Sequence, residues 1–400
     1  MPISLKDIQA AREKIKDSIL RTPLSFSRSA TQKLNTQIYL KQENMQTTGS
    51  FKIRGSLNKM LSLTPEELKK GIVASSAGNH AQGVAFSASK VGAKARIVMP
   101  ETAPLVKVIA TQSYGAEVIL HGKVYDEAYA HARELEAKHG YTFIHPFEDD
   151  LVIAGQGTCG LEILEDLPDV DSVVVSIGGG GWISGVATAI KSQRPQCKVY
   201  GVVSSAAPGM RQLFSHQKVE IPQTLTIADG ISVKKPSQNM FDNYISRLVD
   251  GIVEVDDDEI AESIVFFLER SKMVVEGSGA VVLAGAEKAG WNLGKKSCLV
   301  LSGGNIDMNM ISKVIERGLS RRGRLIRLCV VVPDRPGTLL RLTNLIADSG
   351  ANVLDVKHDR VRQGLKMSET AIEFLLETRS EEHALEIQEA FRTSGARVIN

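Results

Sequence analysis

Lys52 sits in Thr48-Gly-Ser-Phe-Lys-Ile-Arg-Gly55, an amine among small residues, beside an aromatic, just ahead of a helical stretch expected over residues 56–61. An isolated lysine ordinarily lays its stem along the surface and keeps its charge in water. The neighbours here point to burial instead. Desolvation lowers a lysine pKa and frees the amine to attack a carbonyl. A second signal is Gly178-Gly-Gly-Gly181, which follows the apolar run Ser172-Val-Val-Val-Ser-Ile177 and precedes a helical pattern from Ile183. Four residues without Cβ let backbone N–H groups converge on an anion, and a helix N-terminus adds roughly half a positive charge. That combination is a phosphate cup. It is not a strict G-x-G-x-x-G, it lacks the acidic residue that a dinucleotide ribose needs about 20 positions on, and it lacks the G-K-[ST] of a nucleoside-triphosphate loop.

A phosphate cup together with a nucleophilic lysine meets the requirement of pyridoxal 5'-phosphate, an aldehyde cofactor held on an amine. Two more turns fit the same pocket. Ser75-Ser-Ala-Gly-Asn-His80 follows the apolar run from Gly71, and Ser302-Gly-Gly-Asn305 follows Ser297-Cys-Leu-Val-Leu301. The backbone N–H groups around Ser76, Ala77, Gly78 and Asn79 suit a substrate carboxylate where the segment opens a helix. His80 is read as structural.

These turns need a frame. Short β-branched runs, several of them uninterrupted and apolar, at Ala95–Met99, Ala116–Leu120, Ser172–Ser176, Lys198–Val203 and Ser297–Leu301 alternate with helical patterns such as 126–139 and 259–272. Strands apolar on both faces, alternating with helices, predict parallel sheets with right-handed crossovers. In an open α/β sheet, ligands collect at the carboxyl ends of the strands, where all three glycine-rich turns lie. Further along, Glu316-Arg-Gly-Leu-Ser-Arg-Arg-Gly-Arg324 reads as an interdomain linker. Beyond it, strands over 325–332, 352–361 and 369–377, helices from Pro336 and over 381–393, and a last strand over 396–399 give the order β-α-β-β-α-β. The domains expected are 1–320, with a small subdomain inserted at about 50–150, and 325–400.

Composition sets the outer limits. The 400 residues are 43% hydrophobic and 24% charged, values of a globular chain with room for a large core. Lys+Arg 48 against Asp+Glu 46 leaves a net charge of +2, too balanced for nucleic acid or an anionic membrane as main partner. No apolar run is long enough to span a bilayer, and the first residues turn charged at once, unlike a signal peptide. The four cysteines, Cys159, Cys197, Cys298 and Cys329, form no C-x-x-C pair, so neither a zinc site nor a disulfide framework is expected, and a cytoplasmic location fits.

Ser50-Phe-Lys-Ile-Arg-Gly55, Ser76-Ala-Gly-Asn-His80, Gly178–Gly181 and Leu301-Ser-Gly-Gly-Asn305 occur in the order that resembles the threonine dehydratases (threonine ammonia-lyases), within the tryptophan-synthase-β-like pyridoxal-phosphate enzymes. Ala228-Asp-Gly-Ile231 and Val275-Glu-Gly-Ser-Gly-Ala280 add to the resemblance, which covers roughly residues 5–320. The tail resembles an ACT domain through Asp334-Arg-Pro-Gly337 and its element order. The resemblance implies the two-subdomain type II pyridoxal-phosphate fold of parallel sheets, plus a C-terminal α+β, ferredoxin-like ACT domain. It implies that Lys52 carries the cofactor as a Schiff base and shuttles the proton at Cα. Phe51 packs beside the ring, Asn79 bonds its 3′ oxygen, Gly178, Gly179, Gly180 and Gly181 hold the phosphate, and Ser302 faces the ring nitrogen. The reaction implied converts L-threonine to 2-oxobutanoate and ammonia, with L-serine giving pyruvate. A small amino acid, isoleucine or valine, is the implied effector at the ACT domain, and a homo-oligomer, dimer or tetramer, is implied as well.

Three positions depart from the family pattern or discriminate within it. Related serine racemases carry a serine where this chain has Ala77, which cannot transfer a proton, so elimination is favoured over racemisation. Trp182 stands where relatives often have leucine. The strand Lys198–Val203 ends in Val-Ser-Ser-Ala-Ala-Pro without the carboxylate that helps relatives bind a divalent cation, so no metal site is expected. Glu276 either sits near the cofactor or caps the following helix. A serine racemase and, from another class, an NAD-dependent dehydrogenase with an amino-acid sensor tail are the alternatives; the second leaves Lys52 without a role.

Overall fold

The computed structural model describes residues 2–220, 222 and 224–399. Two compact units divide between Asp307 and Met308. In the first, the strands are β1 (Leu24–Phe26), β2 (Gln37–Gln42), β3 (Ile72–Ser75), β4 (Ala95–Met99), β5 (Glu117–Leu120), β6 (Thr142–Phe143), β7 (Ser172–Ser176), β8 (Lys198–Ser204), β9 (Gly251–Val255) and β10 (Lys296–Leu301). They form two sheets. The larger has the order β1-β2-β10-β7-β8-β9, parallel except for the β1–β2 pairing. The smaller has the order β5-β4-β3-β6 and is wholly parallel. The small sheet is thus inserted in the chain between β2 and β7 of the large one.

The apolar runs became central strands because both faces are covered. Val173, Val174 and Val175 of β7, and Cys298, Leu299, Val300 and Leu301 of β10, have no solvent exposure. The three glycine-rich turns leave the carboxyl ends of β3, β7 and β10. Helix Asp150–Asp166 joins the sheets; Gly155 lets it press on the helix Lys52–Met60, since a Cβ there would stand 2.3 Å from the Arg54 carbonyl oxygen. Among the described residues, no helix is long and apolar enough to cross a membrane. All four cysteines are buried as free thiols.

In the second unit, β11 (Leu325–Pro333), β12 (Asn352–Asp359), β13 (Glu369–Glu377) and β14 (Arg397–Ile399) form an antiparallel sheet of order β12-β13-β11-β14. Helices Thr338–Ser349 and Glu381–Thr393 complete the β-α-β-β-α-β order. Leu328, Val330, Leu342, Ile346, Phe374, Leu376, Ile387 and Phe391 make its core. Two boundaries differ from the sequence expectation. The first helix begins at Thr338, with Gly337 before it at φ +84°, so Pro336 lies in the preceding turn. More substantially, residues 316–321, read as linker, are the end of a helix, Met308–Arg321, which belongs to this unit. Its apolar residues Met308, Ile311, Val314, Ile315 and Leu319 recur at helical spacing among the polar and basic residues, and of these five Val314 is buried.

The helix that carries Lys52 is anchored by charge. Arg54, fully buried, donates from Nε to Glu43 Oε2 (2.7 Å) and from Nη2 to Glu43 Oε1 (2.8 Å). It also donates from Nη1 and Nη2 to the two oxygens of Glu162 (2.7 and 2.9 Å). Lys41 Nζ donates to Glu162 Oε2 (2.5 Å) and to the Thr22 carbonyl (2.7 Å). Two cations and two anions thus balance out of contact with water. Removing one cation strands a carboxylate, so Arg54→Met is expected to cost about 3–5 kcal/mol, read as an early urea-unfolding midpoint, whereas Arg12→Met on an exposed ion pair moves it by no more than about 1 kcal/mol.

Candidate active site

The helix expected from residue 56 starts earlier, at Lys52, and runs to Met60. Lys52 therefore occupies a first turn rather than the preceding loop, and its backbone is held there by the Arg54 cluster one half-turn on. Its side chain keeps partial access to the cleft, and Nζ donates to the Pro146 carbonyl (3.1 Å). Burial pulls the amine down to about 8, while the charge of Glu276 acts the other way. An appreciable fraction is therefore the free base near neutrality, the form that attacks carbonyls.

The remaining candidates form a closed circuit around Lys52. Phe51 N donates to the Ser302 carbonyl (3.1 Å), and Ser50 pairs in an isolated bridge with Gly303. Phe51 stacks on Trp182, with centroids 3.9 Å apart and planes at 20°, and Lys52 Nζ lies 5.1 Å from the Phe51 centroid. Trp182 follows the glycine tetrad, so it fills space between the cup and the lysine helix. Gly180 has φ +100°, and helix Gly181–Gln193 begins on it. Two of the four glycines leave no room for a side chain: a Cβ on Gly179 would stand 2.2 Å from the Phe147 ring, and one on Gly181 would stand 2.4 Å from the Phe147 carbonyl.

On the other side, Gly78 caps helix Asn79–Lys90, and Gly78 N donates to Ser76 Oγ (3.1 Å). Ser76, Ala77, Gly78 and Asn79 are all partly exposed, and a Cβ at Gly78 would meet nothing within 4 Å. This turn has room for a ligand where Gly179 and Gly181 have none for a side chain. Asn79 Oδ1 accepts from Asn305 Nδ2 (2.9 Å), and Asn79 Nδ2 donates to Glu276 Oε1 (2.6 Å). Ser278 Oγ also donates to Glu276 Oε1 (2.6 Å), and Ser302 Oγ donates to the Ser278 carbonyl (3.0 Å). His80 Nε2 bonds the Ile144 carbonyl (2.9 Å), and burial drives its pKa to about 3, so it is a neutral structural donor.

One feature was left open by the sequence, and one was not marked by it. Glu276 occupies the N-cap position of helix Gly277–Lys288 without capping it; its carboxyl turns inward to Asn79 and Ser278. Its signal was a lone acidic residue among small ones in Val275-Glu-Gly-Ser-Gly. The segment His145-Pro-Phe-Glu148 closes the circuit between Lys52 and the tetrad, and no periodicity marked it.

Pyridoxal phosphate fits these residues. The tetrad opens a 13-residue helix, and Trp182 Nε1, Ser176 Oγ and Ser184 Oγ around it are buried without a protein partner. An amine of lowered pKa stands across from it.

Burial, with the Asp229 charge acting the same way, raises the Glu276 carboxyl to about 7 against the hydrogen bonds from Ser278 and Asn79. The native state thus holds a proton that the unfolded chain has lost between about pH 4.5 and 7, and native stability falls as pH rises through that window. In cofactor-free protein, Glu276→Gln is expected to gain on the wild type over that window, by up to about 3 kcal/mol. Melting curves at several pH values check it; a difference that does not change with pH contradicts it.

Comparison with known proteins agrees with this geometry. Residues 15–303 match the family described as pyridoxal-phosphate dependent enzyme, and residues 326–393 match the ACT domain. An L-threonine ammonia-lyase of Thermotoga maritima is 47% identical over 397 residues, covering 99% of each chain. A second, of Geobacter sulfurreducens, is 48% identical and covers 95% of each. Among solved structures, the processed form of threonine deaminase isoform 2 from Solanum lycopersicum superposes with a TM-score of 0.73 at 37% identity, covering 79% of this chain and 90% of that one. Maize serine racemase does so with 0.74 at 32% identity, covering 80% and 99%. A desolvated amine facing a side-chain-free cup, on a two-sheet frame shared with these relatives, places this chain among the pyridoxal-phosphate-dependent enzymes, with an ACT domain at its C-terminus.

Proposed function

We propose that the protein is a threonine ammonia-lyase, which converts L-threonine to 2-oxobutanoate and ammonia and takes L-serine to pyruvate as a second substrate. The observation that carries the reading is Lys52, an amine of lowered pKa, fixed by Pro146 between the glycine cup and the Ser76–Asn79 turn. Bound pyridoxal phosphate supplies an aldehyde that captures the substrate amine and a ring that draws electrons from Cα. Gly178, Gly179, Gly180 and Gly181 would hold the phosphate through their amides, and Asn79 would bond the 3′ oxygen. The turn Ser76, Ala77, Gly78 and Asn79 at the helix N-terminus would hold the substrate carboxylate. Lys52, as free base, would remove the Cα proton, the β-hydroxyl would take up a proton and leave as water, and water would then hydrolyse the released enamine to 2-oxobutanoate and ammonia. Ser302 would face the ring nitrogen with an uncharged hydroxyl, which, unlike a carboxylate, does not hold that nitrogen protonated.

Ala77 favours elimination over racemisation, because its methyl group cannot deliver a proton to the face opposite Lys52. Chiral chromatography after incubation with L-serine is expected to show pyruvate and no D-serine; accumulation of D-serine supports the racemase reading instead. Lys52→Ala is expected to lower ammonia release by at least about 10³-fold and to abolish covalent retention of the cofactor. Full turnover in that variant removes the assignment.

The reading extends to regulation and assembly. The second unit binds a small amino acid, isoleucine or valine, and shifts the catalytic equilibrium, in a cytoplasmic homo-oligomer. Its support is the ACT match and the β-α-β-β-α-β sheet. Truncation after Asp307 is expected to leave threonine turnover and remove the response to branched-chain amino acids in steady-state assays; a response that survives places the effector in the first unit.

A further inference from the structure

His145 does not reach the glycine tetrad, and the reaction above gives it no role, yet it governs the segment that does. It lies between β6 and helix Asp150–Asp166, with its ring among aromatics: Phe147 at 4.7 Å edge-on, Phe143 at 6.1 Å and Tyr129 at 6.4 Å between centroids. Its Nδ1 accepts from two backbone donors, Phe147 N (3.3 Å) and Glu148 N (2.8 Å). A ring nitrogen that accepts cannot carry a proton, so the neutral ring bears its hydrogen on Nε2. The two bonds fold residues 145–148 into a tight turn whose two sides touch the two halves of the site. Pro146 offers its carbonyl to Lys52 Nζ (3.1 Å), and Phe147 packs on Gly179 through its ring and on Gly181 through its backbone.

We propose that His145 is a positioning residue for this site: through the turn it closes, it sets both the place of the Lys52 amine and the shape of the phosphate-binding glycine turn. This deepens the reading of Lys52 and the tetrad and rests on it. The surroundings keep the ring in the form the turn needs. Burial lowers its pKa to about 4, and the charges of Lys52 and Arg133 act the same way, against Glu148 and Asp149. His80, the other histidine close by, is itself neutral. The carbonyl of Pro146 serves Lys52 well because it accepts from the amine in either protonation state and brings no negative charge that would raise its pKa.

The test separates the acceptor from the ring. His145→Phe keeps an aromatic in the cluster and removes the acceptor. His145→Asn loses the ring, but its Oδ1 can accept from the N–H groups two and three residues on, the habit of asparagine in turns. In cofactor-free protein, the pH dependence of Lys52 acetylation, followed by peptide mass spectrometry, reads the amine directly. His145→Phe is expected to move that midpoint toward the ordinary lysine value, to weaken pyridoxal phosphate binding about tenfold or more, and to lower kcat more than it changes KM for threonine. His145→Asn is expected to restore all three to within about threefold of wild type. A His145→Phe protein that matches wild type in midpoint and cofactor affinity overturns the proposal. So does a defect, including failure to fold, that His145→Asn does not rescue. If the midpoint shifts as expected but no form of the enzyme acts on threonine, the positioning role stands and the reaction assignment falls.

Discussion

Everything at this site depends on a charge balance sealed away from water. Arg54 is held by both oxygens of Glu43 and both of Glu162, and Lys41 completes the neutralisation. Such a cluster adds little net stability compared with an apolar core, because desolvating four charges costs about as much as their attraction returns. What it supplies is position. The guanidinium has one geometry that satisfies both carboxylates, and the helix that bears it, two residues beyond Lys52, has one place to sit. The cluster ties together β2, the turn after it, the lysine helix and the helix Asp150–Asp166, elements that span more than 100 positions of the chain.

From that fixed helix the site is built outward by contacts between backbone and small residues. The lysine helix and Asp150–Asp166 approach so closely that only glycine fits at Gly155, and the glycine tetrad presses on Phe147 in the same way. Absence of side chains serves two ends here. It allows elements to touch, and it exposes backbone donors at a helix N-terminus where an anion needs them. The opposite wall, Ser76–Asn79, is looser and partly exposed, and it belongs to the smaller sheet. On the proposed assignment that difference suits a permanent cradle for the phosphate and a wall past which substrate enters and leaves.

Titratable groups are arranged by the same economy of charge. Lys52 meets a carbonyl rather than a carboxylate, and burial keeps its pKa low. Glu276, the acidic group whose charge reaches it, is itself buried and raised to about 7, so near neutrality it exerts only part of a full charge. His80 and His145 are neutral and serve as structural donor and acceptor. One titratable amine is thus left poised in the cleft among groups that do not compete for its proton.

Local sequence determined much of this. Apolar runs covered on both faces depend on neighbours in the chain and were legible as parallel sheets, and the glycine-rich segments were legible as turns at strand ends. The β-α-β-β-α-β tail was legible for the same reason. Local reading failed where composition masked periodicity, as in helix Met308–Arg321, whose basic residues hid an apolar residue at helical spacing every three or four positions. Other features had no local cause at all. The inward turn of Glu276, the stacking of Phe51 on Trp182 and the placement of Pro146 on Lys52 join residues up to 197 positions apart, and only the packing of two sheets and the helix between them brings those side chains within bonding distance.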